Sequence, residues 1–154
     1  MKLVSKLFGE INIDNSKIVE FENGIIGFPD LKKFTLIYDE ENEGGGINWL
    51  QCIDEPEFAL PVVNPLFISE KYDPFINDEL LRPLGELNEN NLCVLVTITV
   101  PQDIKKLSVN LKAPIIINVE KKKGTQLIVE DNFPVKYEIY NVLESRKAEE
   151  EGGK

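Results

Sequence analysis

Apolar and polar positions along this chain alternate mostly with a period of two, and the alternation is densest between residues 92 and 131. Four runs stand out there, at 92–100, 107–111, 115–119 and 126–130, with short turn-forming segments between them. Val, Ile and Thr dominate these runs, and branched side chains suit a pleated, half-buried surface. The block is expected to form the core sheet. It also carries a distinctive stretch, Asn110-Leu111-Lys112-Ala113-Pro114-Ile115-Ile116-Ile117-Asn118. Pro114 lacks a donor and suits a strand start or bulge, and the two asparagines are placed to satisfy backbone groups at the bend.

The rest of the chain adds strands around that block. Residues 2–8 alternate as a strand, Gly9-Glu10 reads as a turn, and 11–13 as a second short strand. Further strands are expected at 17–21, 34–38, 47–53 and 58–63, the last two forming a hairpin around Asp54-Glu55-Pro56-Glu57. Pro61 inside that hairpin argues for an edge position or a bulge. Gly24 and Gly27 are expected at positive φ. Residues 39–46 form an acidic hairpin loop. Its triglycine is no phosphate loop, because the fingerprint spacing, the Lys-Ser/Thr ending and the following helix are missing. Residues 64–74 read as irregular. The one convincing helical turn is 77–84, capped by Asn77 or Asp78, with Leu80, Leu81 and Leu84 as its apolar face. Residues 101–106 connect two strands and carry one apolar residue, Ile104. Lys121-Lys122-Lys123-Gly124 reads as a basic hairpin turn, and Phe133, Val135, Tyr137 and Ile139 space an edge strand. The pattern therefore predicts an all-β, mainly antiparallel fold with one short helix. It occupies residues 1–143, and 144–154 form a charged flexible tail.

Composition narrows the chemistry. At 154 residues the chain is one domain, large enough for a core without metal or disulfide staples. No apolar run approaches a membrane span, and the first ten residues lack the apolar stretch of a signal peptide, so the expected location is cytoplasmic. Cys52 and Cys93 form no metal or redox motif and read as small buried apolar side chains. Histidine is absent. That removes the usual general base and the commonest metal ligand, while leaving carboxylate or lysine chemistry open. No catalytic residue, cofactor site or metal site is expected. The net charge of −10 repels nucleic acid and anionic lipid and attracts a basic partner, although on charge alone solubility is sufficient reason for it. The three lysines at 121–123 lack interleaved aromatics and read as a solvated turn.

A series of stretches resembles one family. Lys6-Leu7-Phe8-Gly9-Glu10, Ile18-Val19-Glu20-Phe21 and Asn23-Gly24-Ile25-Ile26-Gly27-Phe28 begin it. Trp49-Leu50-Gln51, Asp54-Glu55-Pro56 and Asn64-Pro65 follow, and Val96-Thr97-Ile98-Thr99-Val100-Pro101, the 110–118 stretch and Gly124-Thr125-Gln126-Leu127-Ile128 complete it. Together they resemble the FliW-type flagellar assembly factors over about residues 1–140. The chain departs from the family's Arg-His-Pro-Leu-like ending, where it has Lys136-Tyr137-Glu138-Ile139.

The resemblance implies a compact barrel-like β fold over residues 1–143 and a non-enzymatic role. It implies binding to flagellin and, once flagellin has been exported, binding to the basic, dimeric RNA-binding regulator CsrA, whose repression of flagellin mRNA is thereby relieved. Glu55 and Glu57 on the hairpin turn, with Asp103 and Ile104 on the 101–106 connection, are the candidate partner-binding residues. The charged ones would steer a basic partner and Ile104 would anchor it. For Ile104, core packing is an equal expectation. Flagellin could add to a sheet edge or lay an amphipathic helix in an apolar groove. Two other readings are a generic β-barrel module for a peptide or ligand and, less favoured, a carboxylate-based enzyme using Asp54, Glu55 and Glu57. The latter needs paired carboxylates in a cleft.

Overall fold

The computed structural model describes residues 1–37 and 47–145. The acidic stretch at 39–46 and residues 146–154 of the expected tail lie outside them, while the tail's first two residues, 144 and 145, are helical. The strands are β1 (Lys2–Ser5), β2 (Gly9–Asn12), β3 (Val19–Phe21), β4 (Lys33–Ile37), β5 (Asn48–Cys52) and β6 (Ala59–Val63). They continue with β7 (Leu92–Thr99), β8 (Ser108–Val109), β9 (Ile115–Asn118), β10 (Lys123–Gln126) and β11 (Tyr137–Glu138). Two short α-helices, α1 (Pro65–Ile68) and α2 (Asp78–Leu81), lie between β6 and β7. Residues 140–145 are also helical.

Seven strands close a barrel in the order β7-β6-β5-β4-β3-β10-β9, with β9 pairing back onto β7. The pairings are antiparallel except β10 against β3. Closure removes the open edges that a flat sheet would present. β7 is the longest strand and serves two sheets. Residues Leu92–Leu95 pair with β9, while Ile98 and Thr99 pair with β8, which carries β11 on its far side.

The 110–118 stretch makes this double use possible. From Ile98 to Leu95 β7 moves three residues, while its partner moves six, from Val109 to Ile115. The surplus is looped out as an extended bulge. Asn110 braces it, its Oδ1 accepting from the Lys112 and Ala113 N–H groups at 3.0 and 3.1 Å. Asn118, fully buried, accepts from the Glu120 and Lys121 N–H groups, and its Nδ2 donates to the Leu84 and Glu86 carbonyls at 2.8 and 3.3 Å. The asparagines therefore do satisfy backbone groups at the bends.

Alternation along β7 divides the core. Leu95 faces the barrel interior with Phe21, Phe34, Leu50, Val62 and Ile115. Val96 and Ile98 face a second cluster outside the barrel, with Val63, Ile68, Tyr72, Val109 and Ile139. Each such fully buried large apolar side chain contributes about 1.5–3 kcal/mol. Phe21 and Phe34 meet edge to face at 5.3 Å. Gly124 in β10 sits against Phe21, where an added Cβ would lie 2.6 Å from the ring. Gly24 turns at φ 69, as expected, with no room for a Cβ beside the Phe28 carbonyl.

Several expectations shift. The first turn falls at residues 6–8, not at Gly9-Glu10, because Ser5 Oγ accepts from the Leu7 and Phe8 N–H groups and starts the turn early. Lys123 and Gly124 belong to β10, so the basic turn ends sooner and the strand ends at Gln126. The irregular 64–74 segment contains α1, capped by Asn64 Oδ1 and opened by Pro65. Pro61 is not on an edge strand, since β6 lies between β5 and β7. Cys52 donates to Phe58, and hydrogen-bonded pairs alternate from there, so position 61 is a non-bonded pair with Trp49. Its missing N–H would point toward β7, and the β7 ladder starts only at Val62. The proline thus costs the β5–β6 ladder nothing and sits where the β6–β7 ladder ends. The 77–84 helix is split into α2 and a tighter turn at Arg82–Leu84, with Asn77 as the cap.

Candidate partner-binding surface

The β5–β6 turn is fixed from below. Gln51 is fully buried, and its Nε2 donates to the Pro56 and Phe58 carbonyls at 3.1 and 3.2 Å. Ser5 Oγ donates to Gln51 Oε1 at 2.7 Å, which ties the β1–β2 hairpin to the same point. Asp54 Oδ2 accepts from the Lys32 and Lys33 N–H groups, both at 3.0 Å. Glu55 N–H donates to Cys52 Sγ at 3.3 Å. With the backbone so held, Glu55 and Glu57 are exposed.

The second candidate pair sits on the turn after β7. Asp103 caps the turn Ile104–Lys106, its Oδ1 accepting from Lys105 N–H at 3.1 Å. Ile104 is 50% exposed, so it is not part of the core. Because Val62 pairs with Thr97 in antiparallel register, the start of β6 and the end of β7 lie at one end of the sheet. The two turns therefore open at that same end, and the backbone of each is fixed independently. Among the described residues no hydrogen bond or ion pair joins the two turns' side chains.

A feature invisible in the one-dimensional pattern lies at the other end of β7. A groove of about 400 Å³ is lined chiefly by Pro65 and Leu66 of α1, Tyr72, Ile76, Leu81 of α2 and Leu92 of β7. Leu66 and Leu92 are 52% and 44% exposed. The Tyr72 hydroxyl is spent beneath it, donating to the Leu111 carbonyl at 2.8 Å. Burial, and to a lesser degree the Asp131 charge, pushes the Tyr72 pKa up to about 12. The groove's only local signal in the sequence was the Asn64-Pro65 cap. Its other walls come from residues 72–94, which the pattern read as separate elements, and from Ile116.

The geometry gives the carboxylate reading little to use. Asp54 is bound to two backbone N–H groups on an exposed turn, and Asp73 is the lone carboxylate lining the groove. Burial raises the pKa of both Cys52 and Cys93, which disfavours the thiolate. Among the described residues no cluster of three or more His, Cys, Asp or Glu is placed to hold a metal, and no helix is long and apolar enough to cross a membrane.

Known proteins similar to this chain in sequence and in shape agree with one another. The family model described as FliW protein matches residues 2–139. The flagellar assembly factor FliW of Lachnospira eligens is 49% identical over 150 residues, covering 96% of this chain and 99% of the relative. That of Lachnoclostridium phytofermentans is 46% identical over 154 residues, covering 99% of each. A crystal structure of the flagellar assembly factor FliW superposes with a TM-score of 0.82 at 30% identity, over 91% of this chain and 97% of that one. The closed barrel and the matched span lead to one conclusion: this chain belongs to the FliW family of flagellar assembly factors.

Proposed function

We propose that this protein acts in the cytoplasm as a partner switch in flagellar assembly, binding flagellin and, when released from it, binding CsrA and blocking its repression of flagellin mRNA. One observation carries the reading. A single strand, β7, has an apolar groove at its start and two backbone-fixed turns at its end, one carrying Asp54, Glu55 and Glu57 and the other Asp103 beside Lys105 and Lys106. The groove suits an apolar segment such as an amphipathic helix. Barrel closure removes the edges of the main sheet, leaving only the two-residue β11 and the short β1–β2 hairpin for strand addition. The acidic end suits a basic regulator, and the net charge of −10 favours its approach. Glu55, Glu57 and Asp103 supply local charge, and Ile104 the apolar anchor.

The eight residues of β7 span roughly 24 Å. A standard interface covers about 800 Å² per partner, a patch roughly 30 Å across. Two partners seated on one face of the barrel at opposite ends of β7 would overlap, and mutual exclusion there needs no internal conformational change. Calorimetric titration of the purified chain with CsrA and with flagellin tests this. Each should bind alone, and saturating flagellin should abolish CsrA binding. A stable ternary complex would overturn the exclusion. Binding to neither would leave a barrel module for some other peptide or ligand.

A further inference from the structure

The barrel has a second cavity, at the end where β3 and β10 begin. It measures about 260 Å³. Its walls are side chains of four barrel strands, Val19, Leu36, Cys93 and Ile117, together with Val119 just past β9, and two lysines, Lys17 and Lys122, complete the lining. It is distinct from both surfaces assigned to partners above.

Lys122 is unusual in its backbone. Its φ is 58, the only positive φ outside glycine among the described residues. A lysine there is strained where glycine would not be, and such strain persists only when the surroundings enforce it. They do so here. Lys122 N–H donates to the Asn118 carbonyl at 2.8 Å, and the Lys122 carbonyl accepts from Glu20 N–H at 3.0 Å. The side chain is thereby directed to the cavity. Neither lysine forms an ion pair among the described residues. Asp14 is the acid that senses both. Its carboxylate is held in the charged form first by hydrogen bonds from Ser16 and only secondarily by Lys17 and Lys122. Among the described residues, the cavity lining carries two ammonium groups and no carboxylate.

We propose that the barrel mouth binds a small aliphatic carboxylate, the hydrocarbon lying between Val19, Leu36, Cys93 and Ile117 and the carboxylate between Lys17 and Lys122. The cavity has the volume of about nine waters, room for a chain of about six carbons. An apolar body with one placed charge is the composition such pockets select. The same chemistry could be a free acid or the terminal carboxylate of a peptide ending in an aliphatic residue. The proposal stands independently of CsrA and flagellin binding.

The test is a titration of the full chain with hexanoate, followed by amide NMR shifts at Val19, Leu36 and Ile117. Saturable shifts are expected, with hexylammonium binding at least tenfold more weakly. Lys122→Gly should raise the melting temperature, by releasing the positive φ, while weakening hexanoate at least tenfold. Lys17→Gln should weaken it too, and Asp14→Asn should tighten it by removing the competing charge. A peptide with an aliphatic C-terminal residue, free or amidated, separates the two sources: a free-acid peptide binding tighter than both hexanoate and its amide identifies a chain terminus. Absence of hexanoate shifts, equal binding of hexylammonium, or a stabilised Lys122→Gly variant with unchanged affinity would each overturn the site.

Discussion

Asn118 and Asp103 make the same local bond in opposite surroundings. Each accepts, through Oδ1, from the N–H two residues ahead and so fixes a turn after a strand. Asn118 is fully buried and also reaches sideways, holding the Leu84 and Glu86 carbonyls and so joining the segment after α2 to the barrel wall. Asp103 is exposed, and its cap leaves most of the carboxylate to solvent. The lesson is about what each residue is free to do. A buried cap has its donors and acceptors committed to the fold, whereas an exposed one fixes a turn and still presents charge to a partner.

Removing each cap separates the two roles. Asn118→Ala should cost about 3 kcal/mol, because it strands several backbone groups in a buried site, each worth about 1–3 kcal/mol when unsatisfied. Urea unfolding measures it, and a loss under about 1 kcal/mol would mean water replaces the amide. Next comes the strand beside it. Gly124→Ala puts a methyl 2.6 Å from the Phe21 ring in a filled interior and should cost about 2 kcal/mol by overpacking. Asn110→Ala, half-buried, should cost about 1–2 kcal/mol by freeing two N–H groups of the bulge. Unchanged melting with lost partner binding would move Asn110 from the structural group to the interface.

Tyr72 extends the buried side of the comparison to pH. Its folded pKa, about 12, lies above the ordinary value near 10. The native state therefore holds this proton more tightly than the unfolded chain. The associated stability is complete below pH 10 and is lost as pH rises from there toward 12. Stability measured from pH 9 to 11.5 should fall more steeply for the native chain than for Tyr72→Phe. Parallel curves would show that the hydroxyl's burial is not felt.

Which of these residues could be read from the chain depends on how local their causes are. The strands were legible because alternation is local, and Asn77 was legible as a cap because its bond spans two residues. The boundary at Lys123 and Gly124 was not: they pair locally with Asn118 and Ile117 and, about a hundred residues away, with Glu20 and Phe21, and turn-like residue types give no hint of either pairing. Pro61 reveals a missing donor, but the side it faces depends on register with β5 and β7. Barrel closure has the same character, resting on a parallel β3–β10 contact with no local mark. At the candidate surface, residue type placed Glu55, Glu57 and Asp103 on exposed turns correctly. The pattern left Ile104 undecided, since an isolated apolar side chain in a polar loop looks the same whether it turns in or out. The groove was missed because its walls are assembled from segments 64–94 and Ile116.

The exposed side of the comparison carries the smallest effect on stability. Asp103→Asn keeps an oxygen for the Lys105 N–H, and Ile104→Ser removes a half-exposed side chain, so each should change stability by no more than about 0.5 kcal/mol. If CsrA docks at this end as proposed, their effects on it should differ in kind. Loss of the Asp103 charge, or of Glu55 or Glu57, acts on approach. It should slow association at low salt and have little effect at high salt, where exposed charges are screened beyond about a Debye length. Loss of Ile104 acts on the docked state and should speed dissociation at every salt concentration, by tenfold or more if it fills a pocket on the partner. Stopped-flow association and dissociation at two ionic strengths separate the two. If Ile104→Ser leaves dissociation unchanged while the charge variants still slow association, the acidic end steers CsrA but the anchor lies elsewhere. If neither rate moves with any of the four, the turns after β5 and β7 are solvated surface and the acidic end is not the docking site.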